Sequence, residues 1–275
     1  MVGQKGKVER FLSSHPVFNR AEFRETVSPG QPLSSADSLL RYHAASGRIR
    51  HVAPGVYASV PPHLEPASFH PDRILVASRI RTDGVVAYHT ALELHGLAYS
   101  ESSQTQLLSG GRPGEMKTLV GPVRFVAQPA ALRRRSEEMT GTIKMDRRGL
   151  DVVATGVERT LVDCIELPDL TGGVEELANA LHGAKAFDVQ KFAELALARE
   201  NQTLVGVCGA WLESRKEDLF VDETVLEELK RGAPPSPRPA LGSEAQGKPT
   251  EGWNVILPSD FLVPSFEGMS PEMMP

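Results

Sequence analysis

The sequence predicts an α+β protein: an N-terminal winged helix-turn-helix followed by a larger mixed α/β domain with a small sheet and a helical C-terminal part. Three observations predict it. Helix-start signals fill the first 45 residues and lead into a cationic hairpin pattern, SGRIRHVAPGVYAS, from Ser46 to Ser59. Short β-rich runs separated by Gly, Pro and Arg clusters occupy residues 105 to 155. From Gly156 the apolar residues recur at helical spacing.

The first elements arise from local chemistry. Val8, Phe11 and Leu12 fall on one helical face. In VFNRAEFRETV, Asn19 caps a second helix with Glu22 reaching back from its third position, and Phe18 packs on Phe23 as a hydrophobic staple. SPGQP, Ser28 to Pro32, breaks the chain, and Ser34-Ser35-Ala36-Asp37 reads as a capping box for a third helix that Gly47 ends. Ala36, Leu39, Leu40 and His43 face inward on that helix, whereas Ser35, Ser38, Arg41, Tyr42 and Ala45 form the other face. Small and hydroxylated side chains allow close approach to a major groove, where Arg41 reaches guanine or phosphate. In the hairpin, Arg48 and Arg50 project from one side and Ile49 from the other, and Pro54-Gly55 suits a type II turn. Three helices and this ribbon make the winged domain, with Arg48 and Arg50 expected on backbone phosphate or in a minor groove.

Beyond the hairpin, VPPHLEPASFH, residues 60 to 70, is a Pro-rich connector, and Pro71-Asp72 opens a helix carrying Ile74, Ala77 and Ile80. The middle of Val85 to Leu97 is a helix stopped by Gly96. His89 and His95 are six residues apart, a helical advance of roughly 600°, so they lie on different faces and make a poor metal pair. TQLLS, VRFVA, TIKM and LDVVAT are the strands of one small sheet, and SGGRPGEMK is a polar hairpin tip. Arg133, Arg134, Arg135, Arg147 and Arg148 suggest a second basic patch. Leu161, Cys164 and Ile165, and likewise Val174, Leu177, Ala178 and Leu181, are core stripes of C-terminal helices. Residues 231 to 250 have linker composition, and WNVILP is a final strand returning to the sheet. The expected domains are thus 1–65, 66–230, the linker 231–250 and a C-terminal strand and tail at 251–275, with the connector near residue 65 separating two independently folding parts.

Charge divides along the same line. Residues 1 to 60 carry 8 Lys/Arg against 4 Asp/Glu, residues 61 to 150 carry 12 against 9, and residues 151 to 275 carry 10 against 22. The net −5 of the whole chain therefore hides a cationic start suited to phosphates and an acidic end that repels them. No apolar run approaches the ~20 residues of a membrane helix, and the N-terminus lacks the apolar core of a signal peptide, so a cytoplasmic protein is expected. Cys164 and Cys208 show no CxxC or Cys/His ligand spacing and read as reduced core thiols, with neither metal nor cofactor expected.

Taken in order, the N-terminus ending in RHVAPGVYA, the segment VVAYHTALELHGL, and VERTLVDCIELPDLTGGVEELANAL resemble the AbiEi family of antitoxins and transcriptional regulators from abortive-infection, type IV toxin-antitoxin systems. The likeness covers roughly residues 5 to 230. It implies a winged domain that binds double-stranded DNA at inverted repeats in its own promoter, and a C-terminal domain that counters a nucleotidyltransferase-like toxin, directly or indirectly. The DNA-contacting role then falls on Ser35, Ser38, Arg41, Tyr42, Arg48 and Arg50. Arg159, Thr160, Asp163, Gly172 and Gly173 are the family's signature positions; their spacing reads as helix packing and a Gly-Gly helix start rather than catalysis. The leading reading is a non-enzymatic repressor and antitoxin. The alternatives are a metal-dependent nuclease using the E-x-K element at Glu115 and Lys117, and an interaction adaptor without DNA affinity.

Overall fold

The computed structural model describes residues 2–243 and 248–262, with side chains from residue 6 onward. It is an α+β protein that divides into two compact units. The first is built from residues 1–86, 103–127 and 143–154, and the second from 87–102, 128–142 and 155 onward. The expected limit at 65/66 lies inside the first unit. Because the cationic middle segments join the N-terminal residues, the first unit holds seventeen Lys/Arg against ten Asp/Glu and the second thirteen against twenty-five, a sharper separation of charge than the linear sequence shows.

The first unit opens with α1 (Val2–Ser14), β1 (Val17–Asn19), α2 (Arg20–Val27), α3 (Leu33–Ala45), β2 (Ile49–Ala53) and β3 (Val56–Ser59). The strands form an antiparallel sheet in the order β1-β3-β2. The three helices close over it on a core of Val8, Phe11, Phe18, Phe23, Val27, Ala36, Leu40 and Ile49. The capping box of α2 forms as expected: Glu22 N–H donates to Asn19 Oδ1 at 2.9 Å and Asn19 N–H to Glu22 Oε2 at 2.7 Å. The Phe18 and Phe23 rings stack at 5.6 Å. The expected capping box of α3 does not form. That helix begins at Leu33 with Pro32 at its N-cap, and the Asp37 carboxylate is taken by Arg20 at 2.5 Å.

Next comes α4 (Arg73–Ile80), capped by Asp72, whose carboxylate accepts from the Ile74 and Leu75 amides. Burial disfavours the Asp72 charge, but the hydrogen bonds from Arg147 and these amides outweigh it and hold the carboxyl below its ordinary value. With Ile74, Leu75, Val76 and Ala77 all buried, α4 packs against both β1 and β3 and also against the strands β4 (Val85–Val86) and β5 (Thr105–Ser109) of a second sheet. Arg79 ties it to Glu22 of α2 at 3.0 Å. A shared helix is the physical reason the chain does not divide at residue 65.

The second sheet also contains β6 (Gly114–Thr118), β7 (Gly121–Ala127), β8 (Thr142–Arg147) and β9 (Leu150–Thr155), in the order β6-β7-β5-β4-β9-β8. Here the expected hairpin tip at SGGRPGEMK is corrected. β5 and β6 are not neighbours; β7 lies between them, so residues 110–113 carry the chain across to the sheet edge. Asp83 anchors that crossing by accepting from Ser109 Oγ (2.9 Å) and Gly110 N–H (2.7 Å), and Arg81 donates to the Arg112 carbonyl (2.8 Å).

The second unit contains α5 (Tyr88–His95), α6 (Ala130–Arg134), α7 (Val157–Glu166), a 3-10 turn (Pro168–Leu170), α8 (Val174–Gly183), α9 (Val189–Leu197), α10 (Gln202–Ser214) and α11 (Glu223–Gly232). Gly96 ends α5 in the left-handed conformation, as expected. The predicted stripes of Leu161, Cys164, Ile165, Leu177 and Leu181 are buried in the core of this unit. Both thiols are free and buried, and burial raises both above the ordinary cysteine value. The helix α11 is an addition to the sequence expectation, and the segment after it needs two corrections. Residues 238 and 239 form β10 (Arg238–Pro239), which pairs in parallel with β11 (Val255–Ile256). WNVILP therefore does not return to the larger sheet, and within the expected linker Ala233, Ala240 and Leu241 pack on the helical core, while residues 244–247 lie outside the described residues. Of the expected tail, residues 263–275 lie outside the described residues.

Candidate nucleic-acid interface

The chain places α3 as the second helix of a bihelical pair. Between α2 and α3, Gly30 (φ +72°) turns the backbone, and the Ser28 and Gln31 amides close the turn on the Arg24 and Ser28 carbonyls. Ala36, Leu40 and His43 are buried beneath α3, leaving Ser38, Arg41 and Tyr42 exposed and Ser35 half-buried along its outer side. The sequence-predicted set is thus brought onto one face. Ser38 Oγ donates to the Ser34 carbonyl at 2.7 Å. Arg41 makes two weak 3.4 Å contacts, to the Asp37 carbonyl and Ser38 Oγ, and its side chain is exposed to solvent. Tyr42 is 66% exposed and meets His43 edge-on at 5.1 Å. His43 sits under this face with its Nδ1 lacking a hydrogen-bond partner; burial first, and the Arg48 charge second, hold its pKa below the ordinary 6.5.

The two hairpin arginines do not project as the sequence suggests. Arg50 donates to the carbonyls of Phe69 (2.7 Å) and Ala67 (3.4 Å), and so fastens the connector to the ribbon. Arg48 precedes β2 and comes within 4.0 Å of Glu9 on α1. The cause is the connector itself, which folds back until Pro66 lies on Gly47 and presents its carbonyls to Arg50. The ribbon's turn is formed by Pro54 and Gly55 (φ +72°) as expected, and its open surface is His51, Pro54 and Gly55.

The second basic patch is not brought together as one cluster. Arg133, Arg134 and Arg135 belong to the second unit, where Arg134 (2.5 Å) and Arg135 (3.5 Å) bind Glu200 and Arg135 also pairs with Glu137 (2.9 Å). Arg147 and Arg148 belong to the first, where both are drawn to Asp72, at 2.8 and 3.6 Å. Paired cations have less to offer a phosphate than the sequence count implies. Sequence reasoning also passes over Lys117 and Arg124 as cations of one surface. Only the β6–β7 register, which sets Lys117 opposite Pro122 and Glu115 opposite Arg124, places them on the same exposed side. Glu115 accepts from Gln104 Nε2 at 2.9 Å, and no group of three or more His, Cys, Asp or Glu among the described residues is arranged to hold a metal.

The second unit holds Arg159, Thr160, Asp163, Gly172 and Gly173, the positions that the motif resemblance singles out. Arg159 is fully buried and donates to the Glu138 (2.5 Å) and Thr140 (2.7 Å) carbonyls and to Gln128 Oε1 (2.8 Å). Asp163 lies between Arg159 (3.5 Å) and Arg199, with which it is hydrogen-bonded. Thr160 bonds Thr155 at 2.7 Å, and Gly172 and Gly173 both adopt positive φ. His89 and His95 face different surroundings: His89 stands near Glu93 (3.2 Å) and Glu176 (3.6 Å), while His95 Nε2 donates to the Thr155 carbonyl (2.8 Å).

The architecture defines an α+β protein whose cationic unit presents the outer face of α3 to solvent. Among solved structures, the chain is similar to the crystal structure of the Rv2827c protein from Mycobacterium tuberculosis, at TM-score 0.55 and 14% identity, over 93% of this chain and 91% of that one. At that identity the likeness concerns the fold alone. No family model and no curated protein matches the sequence. Among the described residues no helix is long and apolar enough to cross a membrane.

Proposed function

We propose that this chain is a DNA-binding repressor of its own operon and the antitoxin of an AbiE-like, type IV toxin-antitoxin system, acting without catalysis. The observation that carries the DNA half is the outer face of α3: Ser38, Arg41 and Tyr42 are open to solvent on a helix whose opposite side is packed. The element order from α1 to β3 supports reading this module as a winged helix-turn-helix. The charge of the units supports it further, since phosphates are drawn to the first and repelled by the second. The antitoxin half rests on the motif resemblance, and its partner is a nucleotidyltransferase-like toxin. The division into a basic and an acidic unit suits two separate partners.

The test is titration of DNA from upstream of the chain's own gene against a random duplex of equal length. If Arg41 reads a base edge, Arg41→Ala weakens the specific complex by about 1 to 3 kcal/mol and the random one much less. Equal losses on both place Arg41 on phosphate, and absence of binding to either duplex at low salt sinks the DNA reading. Growth rescue on co-expression with the neighbouring toxin gene tests the other half.

A further inference from the structure

We infer that the β6–β7 hairpin is a second phosphate-binding surface that extends the DNA footprint beyond the recognition helix and wing, an inference that rests on the DNA-binding reading above. The hairpin is fixed to the wing by its turn: Leu119 N–H donates to the Val52 carbonyl of β2 at 2.9 Å, continuing the ribbon's edge into the second sheet. Its inner side, Val123 and Phe125, is buried, so it is held by packing. Its outer side is solvent-exposed and carries Lys117 and Arg124.

Register makes these two cations neighbours. Glu115 stands opposite Arg124 and Lys117 opposite Pro122, so Lys117 and Arg124 are diagonal partners, roughly 7 to 8 Å apart. Lys117 is two residues from the docked turn, a strand distance of about 7 Å from the wing's edge. Among the described residues neither cation is paired with a carboxylate at ion-pair distance, unlike Arg134, Arg135, Arg147 and Arg148. Arg112 adds a third exposed cation before β6. The acid on this face, Glu115, is held by Gln104. A surface with unspent positive charge, continuous with the wing and rooted in a cationic unit, matches the phosphodiester backbone of a duplex that runs past the wing.

The experiment measures binding of the full-length protein to random duplexes of about 15 and about 40 base pairs across a salt series. The Lys117→Ala/Arg124→Ala double variant is expected to lower the slope of log K against log salt by about 1.8 on the long duplex, at about 0.9 per lost contact, with little change on the short one. Glu115→Lys is expected to steepen the slope on the long duplex. Both sites are exposed, and circular dichroism checks that the variants fold. Unchanged slopes for both variants, with Arg41→Ala still weakening the complex with DNA from upstream of the chain's own gene, overturn the hairpin surface and leave the DNA reading standing. Failure of the wild-type protein to bind either duplex overturns both.

Discussion

At the scale of single residues, the buried side of α3 holds a titratable group. His43 is packed under the exposed Arg41 and Tyr42 face, where burial and the nearby Arg48 charge disfavour the imidazolium. Its folded pKa lies below its unfolded value of 6.5. Above 6.5 neither state binds the proton, whereas below it the unfolded chain is protonated and the folded chain resists, so stability falls as pH drops toward the folded pKa. Urea midpoints measured between about pH 7.5 and pH 5 should therefore decline, and His43→Asn should decline less. A variant whose midpoint falls as steeply as the wild type would show that His43 is not the group responsible. A second buried set, Arg159, Asp163 and Arg199, takes three charges out of water. They are tolerated because Asp163 is shared and Arg159 meets three further acceptors. All three side chains are buried by the packing of the helical core.

At the scale of elements, α10 and β11 depend on each other through two glycines. A Cβ on Gly209 would lie 1.9 Å from the Trp253 ring, and one on Gly206 2.7 Å from Val255, so the helix surface is cut away to seat the C-terminal strand. Trp253 fills that space fully buried, with its indole N–H on Glu213 at 2.7 Å. Gly209→Ala is expected to eject the ring and cost about 3 to 5 kcal/mol, the range for losing a buried aromatic, although alanine alone favours a helix. Denaturation with Trp253 fluorescence followed in a Trp211→Phe background measures it; a loss under about 0.5 kcal/mol would mean that the ring is not seated there. These glycines also mark the limit of what is legible in the sequence. Asn19, Asp72 and Gly96 announce their helix ends because caps are local chemistry. The pairing of β11 with β10, and the insertion of β7 between β5 and β6, depend on contacts between residues distant in sequence. The candidate interface divides likewise: the outer face of α3 comes from helical periodicity, but periodicity misplaces Arg50 because nothing local reveals that residues 67 and 69 return to it.

At the scale of the whole molecule, the chain crosses between its units repeatedly, so the proposed DNA-binding and antitoxin tasks are not separable by one cut. The sequence suggests a division near residue 65, leaving a complete module on each side. The structure gives α4 to both sheets of the first unit: its buried Leu75, Val76 and Ala77 lie on the side of a cut opposite to β1 and β3, whose Val17, Val56 and Ala58 are also buried. Cutting there removes Arg79 from Glu22 and Arg50 from its two connector carbonyls. Burying one Val or Leu side chain contributes roughly 1.5 to 3 kcal/mol, and a domain of about 60 residues is marginal to begin with. Residues 1–65 alone should therefore melt well below the full chain, and 66–275 should lose cooperative unfolding because the exposed face of α4 has no cover. Adding residues 66–86 to the N-terminal fragment restores α4 and should raise its midpoint. Urea denaturation followed by circular dichroism on the three fragments and the full chain decides the matter: a 66–275 fragment that unfolds cooperatively at the full-length midpoint would mean that the first 65 residues share no core with the rest, and antitoxicity could then be mapped by simple truncation.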